Sequence, residues 1–72
     1  LDGGEDGLKF YKKIIEQVCN YIENGYLILE IGYDQKEDVE NLLKENKNYS
    51  EIKTIQDLSG NDRCVIAKVG KI

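Results

Sequence analysis

Between positions 8 and 22 the apolar residues fall at Leu8, Tyr11, Ile14, Ile15, Val18, Cys19 and Ile22, the three-and-four spacing of one helical face. Lys9, Lys12, Lys13, Glu16, Gln17, Asn20 and Glu23 occupy the opposite face, so the pattern predicts an amphipathic helix from about Gly7 to about Asn24. Asp6 is its expected N-cap, and Asn24-Gly25 its expected left-handed stop. "YLILEIG" follows at once, too short for a helix and apolar on both alternating sides, which predicts a strand over 26–32. Leu27, Leu29 and Ile31 point one way, and Tyr26, Ile28 and Glu30 the other. A strand apolar on both faces is expected to be central and covered on both sides, as in a parallel sheet, and that cover needs more chain than is present.

Asp34 with Glu37 three residues later resembles a capping box, and Val39, Leu42 and Leu43 form the narrow stripe of a shorter helix ending near "ENKN". "SEIKTIQDL" alternates weakly, "SGND" supplies turn chemistry, and "RCVIAKV" is a second compact strand. Together they predict an antiparallel hairpin over 50–69 with its loop around 58–62. The order is helix, strand, helix, strand, strand, and residues 1–72 read as a single small α/β domain.

Composition narrows the functional classes. In 72 residues, 14 acidic side chains outweigh 10 scattered basic ones for a net charge of -4, so no nucleic-acid-binding face is advertised. No apolar run approaches the ~18 residues that span a bilayer, no leader pattern opens the chain, and a cytoplasmic, membrane-free protein is expected. The absence of Met, even at position 1, leads to the expectation of a piece of a longer protein. Cys19 and Cys64 are far apart and no His is present, so zinc spacing is missing and two small buried thiols are expected rather than a disulfide.

"DGGEDG" invites two ligand readings. A phosphate loop needs glycines between strand and helix, but Asp2, Glu5 and Asp6 would repel the anion. An EF-hand counted from Asp2 has its glycine in place but Lys13 where the bidentate Glu is needed. A helix-entry loop with glycine-specific backbone angles is the plainer account. Glu30 is the one acid inside an apolar strand, close to its carboxyl end, where open α/β sheets bind ligands. Asp57, Asn61, Asp62 and Arg63 sit in the hairpin loop, where polar residues belong whatever the function. No His, metal cluster or paired nucleophile and base is present, which argues against a self-sufficient enzyme.

"LDGGEDGLKFYKKII", "GYLILEIGYDQ" and "IKTIQDLSGNDRCVIAK", in this order and at these separations, closely resemble the end of the HemK-type protein-glutamine methyltransferases. That resemblance implies an enzyme that uses S-adenosylmethionine to methylate the glutamine of the Gly-Gly-Gln motif in class I peptide-chain release factors. It implies the C-terminal half of a class I methyltransferase sheet, Rossmann-like, with strand order 3-2-1-4-5-7-6 and an antiparallel C-terminal hairpin. The Gly-rich cofactor loop, the ribose-binding acid and the Asn-Pro-Pro-Tyr motif would lie upstream of Leu1, so the resemblance transfers no catalytic or cofactor-binding residue here. No metal and, for the piece alone, no cofactor and no activity are expected. By position, Gly3, Gly4, Asp6, Gly7 and Glu30 would border the substrate pocket of the intact protein. An apolar strand left open by the missing half is expected to self-associate through residues 26–31. A small free-standing protein-binding module is the alternative from another functional class.

Overall fold

The computed structural model describes residues 5–70; the side chains of Glu5 and Asp6 are left out of that description. Its elements are α1 (Glu5–Tyr21), β1 (Asn24–Glu30), α2 (Lys36–Lys44), β2 (Tyr49–Gln56) and β3 (Asp62–Gly70). The expected order of elements is observed. Among the described residues the strands form one antiparallel sheet in the order β1-β3-β2, with β3 central.

The core forms where the inward stripes of both helices meet one face of that sheet. Ile15 from α1, Val39 and Leu43 from α2, Leu29 from β1, Tyr49 from β2, and Val65, Ala67 and Val69 from β3 are buried together. Tyr11, Ile14, Cys19, Leu27, Ile31, Leu42 and Ile52 pack around them. The register explains why these strand residues share a face: Leu29 opposes Val65, Leu27 opposes Ala67, and Tyr49 opposes Val69. Buried Tyr49 keeps its polar tip satisfied by donating to the Ile15 carbonyl at 2.5 Å, which ties β2 to the middle of α1.

Four local expectations are corrected. The first helix ends at Tyr21, not Asn24, because Asn24 and Gly25 pair with Gly70 and Val69 at the start of β1. Asp6 lies inside α1 rather than at its N-cap, since the helix begins at Glu5. The N-cap of α2 is Gln35, whose side chain makes no capping bond, so the Asp34–Glu37 box does not form. Finally, among the described residues β1 is an edge strand covered on one side only: Tyr26 is 61% and Ile28 58% exposed, and Ile66, which opposes Ile28, is only half-buried. The helices lie on the Leu27 and Leu29 side, and the described chain supplies nothing for the other.

The two edges of the sheet differ. β1 pairs with β3 in unbroken register over all seven of its residues. β2 carries register shifts between Ser50 and Lys53 and between Ile55 and Gln56, with Glu51 in the left-handed region at φ 51°. Bulges and charged side chains such as Glu51 and Lys53 are what keeps a free edge from recruiting another strand. β1 has no such protection between Asn24 and Glu30.

One-sided burial has a direct consequence for substitution. Leu43→Ala, in the fully buried core, is expected to lower stability by about 2–5 kcal/mol, whereas Ile28→Ala on the open face is expected to change it by about 0.5 kcal/mol or less. Urea unfolding of the two variants checks the difference.

Candidate functional site

The carboxyl end of β1 is where α1, β1 and α2 converge, and three polar groups make the junction. Tyr11 is the one member of the α1 stripe with both a ring to bury and a hydroxyl to satisfy; it donates to the Glu30 carbonyl at 2.6 Å. The side chain of Gln35, only 7% exposed, turns back toward the strand exit and accepts from the Gly32 N–H at 2.7 Å. The Tyr11 hydroxyl lies 3.3 Å from the same Gln35 oxygen. A Cβ at position 32 would stand 3.2 Å from that oxygen, so glycine is what lets the loop backbone approach the amide so closely. The Gln35 N–H in turn donates to the Gly32 carbonyl at 3.1 Å, closing the turn that leads into α2. Burial, followed by the nearby Glu30 charge, raises the pKa of Tyr11 above the usual tyrosine value, which keeps its hydroxyl a donor.

The residues expected to border a pocket are placed unevenly. Gly3 and Gly4 lie outside the described residues. Asp6 is in the first turn of α1, and Gly7 is half-buried one turn before Tyr11. Glu30 is exposed, and its contribution to the junction is its backbone carbonyl rather than its carboxylate. The sequence reading missed Tyr11, Gly32 and Gln35 as a group. A signal was available for Tyr11, since a tyrosine in an inward stripe needs a partner for its hydroxyl; Gln35 gave none, because a polar residue before a helix usually faces water.

At the hairpin loop the polar residues are accounted for by structure. The Asp57 carboxylate accepts from the Ser59 and Asn61 N–H groups at 2.9 Å each, and from Arg63 Nε at 2.8 Å. Gly60, at φ 87°, makes the turn itself. The Asn61 N–H first, then the Asn61, Arg63 and Ser59 contacts, outweigh opposing desolvation and lower the Asp57 pKa from 3.8 to about 2.

At the other end of α2, Asn46 and Asn48 donate toward Cys19 Sγ at 4.0 and 3.6 Å. Cys19 and Cys64 are free thiols, half-buried rather than buried as expected: Cys19 packs at the edge of the core, and Cys64 lies on the open face of the sheet opposite Glu30 and Ile55. A cavity of about 390 Å³ opens beside this cluster between Lys12, Ile15, Glu16, Leu42 and the 45–48 turn. Its lining mixes both signs of charge and lies away from the β1 exit. A second cavity of about 360 Å³ lies among Tyr26, Glu51, Ile52, Lys53 and Ile66. Among the described residues no group of three or more His, Cys, Asp or Glu could hold a metal, and no helix is long and apolar enough to cross a membrane.

The chain is 45% identical to the release factor glutamine methyltransferase of Fusobacterium nucleatum over 88% of its own length and 18% of that protein. It is 42% identical to the enzyme of that name from Thermodesulfovibrio yellowstonii, over 99% of this chain and 25% of the relative. For the Bacillus anthracis protein of the same name the identity is 37%, over 96% and 25%. Neither a family model nor a solved structure matches the chain. Methyltransferases are thus the class to which these matches point. The likeness read from the three motifs is borne out: the chain is similar to part of these release factor glutamine methyltransferases and spans about a quarter or less of those relatives' length.

Tyr49 and Asp57 make stability depend on pH at opposite ends of the range. Burial, then the neighbouring Cys19, raises the pKa of Tyr49 from 10.0 to about 12. A raised folded-state value gives a contribution that is complete below pH 10 and is lost as pH rises through about 12. The lowered Asp57 value works in the opposite sense, with its contribution complete above pH 3.8 and lost as pH falls through about 2. Denaturant titrations across pH should therefore show Tyr49→Phe flattening the alkaline limb and Asp57→Asn flattening the acid limb.

Proposed function

We propose that this chain is the C-terminal part of the catalytic domain of a release factor glutamine methyltransferase. The intact protein would transfer a methyl group from S-adenosylmethionine to the glutamine side chain of a Gly-Gly-Gln motif in a class I release factor, in the cytoplasm. Identity of 37–45% across nearly the whole chain carries this reading. The order β1-β3-β2, with β3 antiparallel to both neighbours, supports it, since the fifth, seventh and sixth strands of a class I methyltransferase sheet follow in that order.

The cofactor supplies the methyl group as a sulfonium, and the residues that bind it would belong to the rest of the domain. Neither cavity lies at the β1 exit, and the Tyr11, Gly32 and Gln35 polar groups there are engaged with the chain itself. The part this chain plays is to hold one wall. In the intact protein Gly3, Gly4, Asp6, Gly7 and Glu30 would border the pocket that receives the protein substrate, a reading from their positions in the sequence. The rest of the domain pairs along β1 and covers the Tyr26 and Ile28 face. Without that cover, the 72-residue chain has an unguarded apolar edge and self-associates through residues 26–31.

The function is tested by expressing the entire reading frame that contains this chain and incubating it with S-adenosylmethionine and a release factor. One added methyl on the Gly-Gly-Gln glutamine, found by peptide mass spectrometry, is expected; an unmodified glutamine would overturn the reading. For the isolated chain, sedimentation should show association that grows with concentration and is abolished by Ile28→Lys. A monomer at every concentration contradicts edge pairing.

A further inference from the structure

The junction at the β1 exit joins residues from two of the sequence stretches that carry the family likeness. Tyr11 belongs to "DGLKFY", and Glu30, Gly32 and Gln35 belong to "EIGYDQ". They lie 19 and 24 residues apart in the chain, in the two pairs that the Tyr11 hydroxyl makes. A hydrophobic contact would hold helix against strand about as well, but with freedom to slide. A buried amide and a tyrosine hydroxyl do not slide without leaving polar atoms unpaired, so such a cluster fixes position more than it adds stability.

We propose that Tyr11 and Gln35 form a latch that sets where the amino-terminal end of α1 stands relative to the carboxyl end of β1. They act as positioning residues for the substrate-pocket border of the methyl transfer read above, and the inference rests on that reading for its functional half. Gly7 precedes Tyr11 by one helical turn on the same face, so fixing the Tyr11 hydroxyl on the Glu30 carbonyl also fixes the turn carrying Asp6 and Gly7. Gln35 holds the opposite side of the junction through the Gly32 N–H, so the exit loop from β1 and the entry to α2 move with it. The latch touches no reacting atom. Its effect on turnover comes through the placement of the wall, where misplacement by about 1 Å can cost on the order of a hundredfold in rate.

The test uses the full-length protein with Tyr11→Phe, which removes one hydroxyl, and Gln35→Met, which keeps the shape and removes the amide. Gly32→Ala is the third variant, displacing the amide oxygen from a different residue. The conservative Gln35→Glu retains an acceptor and should restore part of the loss. Folded Tyr11→Phe and Gln35→Met are expected to lose on the order of ten- to a hundredfold in kcat/KM for the release factor, while the Kd for S-adenosylmethionine stays within about twofold. Amide exchange should quicken at residues 7–11 and at Gly32 and remain unchanged in β3. A latch serving stability alone would leave kcat/KM per folded molecule at the unsubstituted value and would speed exchange throughout the core; either result overturns the proposal. If the unsubstituted protein transfers no methyl group, the functional reading falls and the positioning role with it, while the exchange at residues 7–11 still decides whether the latch exists.

Discussion

Burial on one side of the sheet is the constraint on which the rest of this structure depends. Ile15, Val39 and Leu43 reach the sheet from two helices and meet Leu29, Tyr49, Val65, Ala67 and Val69 there, all on one face of the three strands. A chain this short hides only about 60% of the surface its unfolded form exposes. Spending both helices on one face leaves Tyr26, Ile28 and Ile55 on the other, with Ile55 44% exposed. The open face is therefore a consequence of length: two helices and three strands close one layer of core, and a second layer requires additional chain.

The same constraint explains why the edges differ. β2 ends the sheet, and its bulge at Glu51, its charges and its shifted register make it a poor template for another strand. β1 carries the pattern of a strand that expects neighbours, apolar on both faces and regular along its length. The curated relatives are four or more times longer than the matched stretch, which is the length from which such neighbours can come. The hydrogen-bonded junction at its carboxyl end ties the strand to α1, so the apolar edge and the proposed pocket border share one piece of framework.

Most of the fold was legible because periodicity and burial agree. The α1 stripe from Tyr11 to Cys19 packs on the core as its spacing requires, and the hairpin around the 57–61 turn forms where Gly60 and Asp57 place it. The errors fall where tertiary pairing outweighs local preference. Asn24-Gly25 reads as a helix stop but is drawn into the ladder by Gly70 and Val69, and the Asp34–Glu37 box loses to a turn built by Gln35 and Gly32. The centrality read into β1 reflects the residues themselves; the described chain provides a partner on one side only. The Tyr11 and Gln35 junction was invisible for a related reason, since a buried glutamine announces itself only once the backbone it contacts is in place.

The account's central claim is that β1 is completed by chain outside these 72 residues, and amide exchange tests it most directly when the isolated chain and the full-length protein are compared residue by residue. The account predicts that amides 25–30 exchange at least tenfold more slowly in the full-length protein under conditions where the isolated chain is kept dilute, while the exposed edge of β2 around Glu51 exchanges alike in both. Equal exchange along β1 in the two proteins would contradict it.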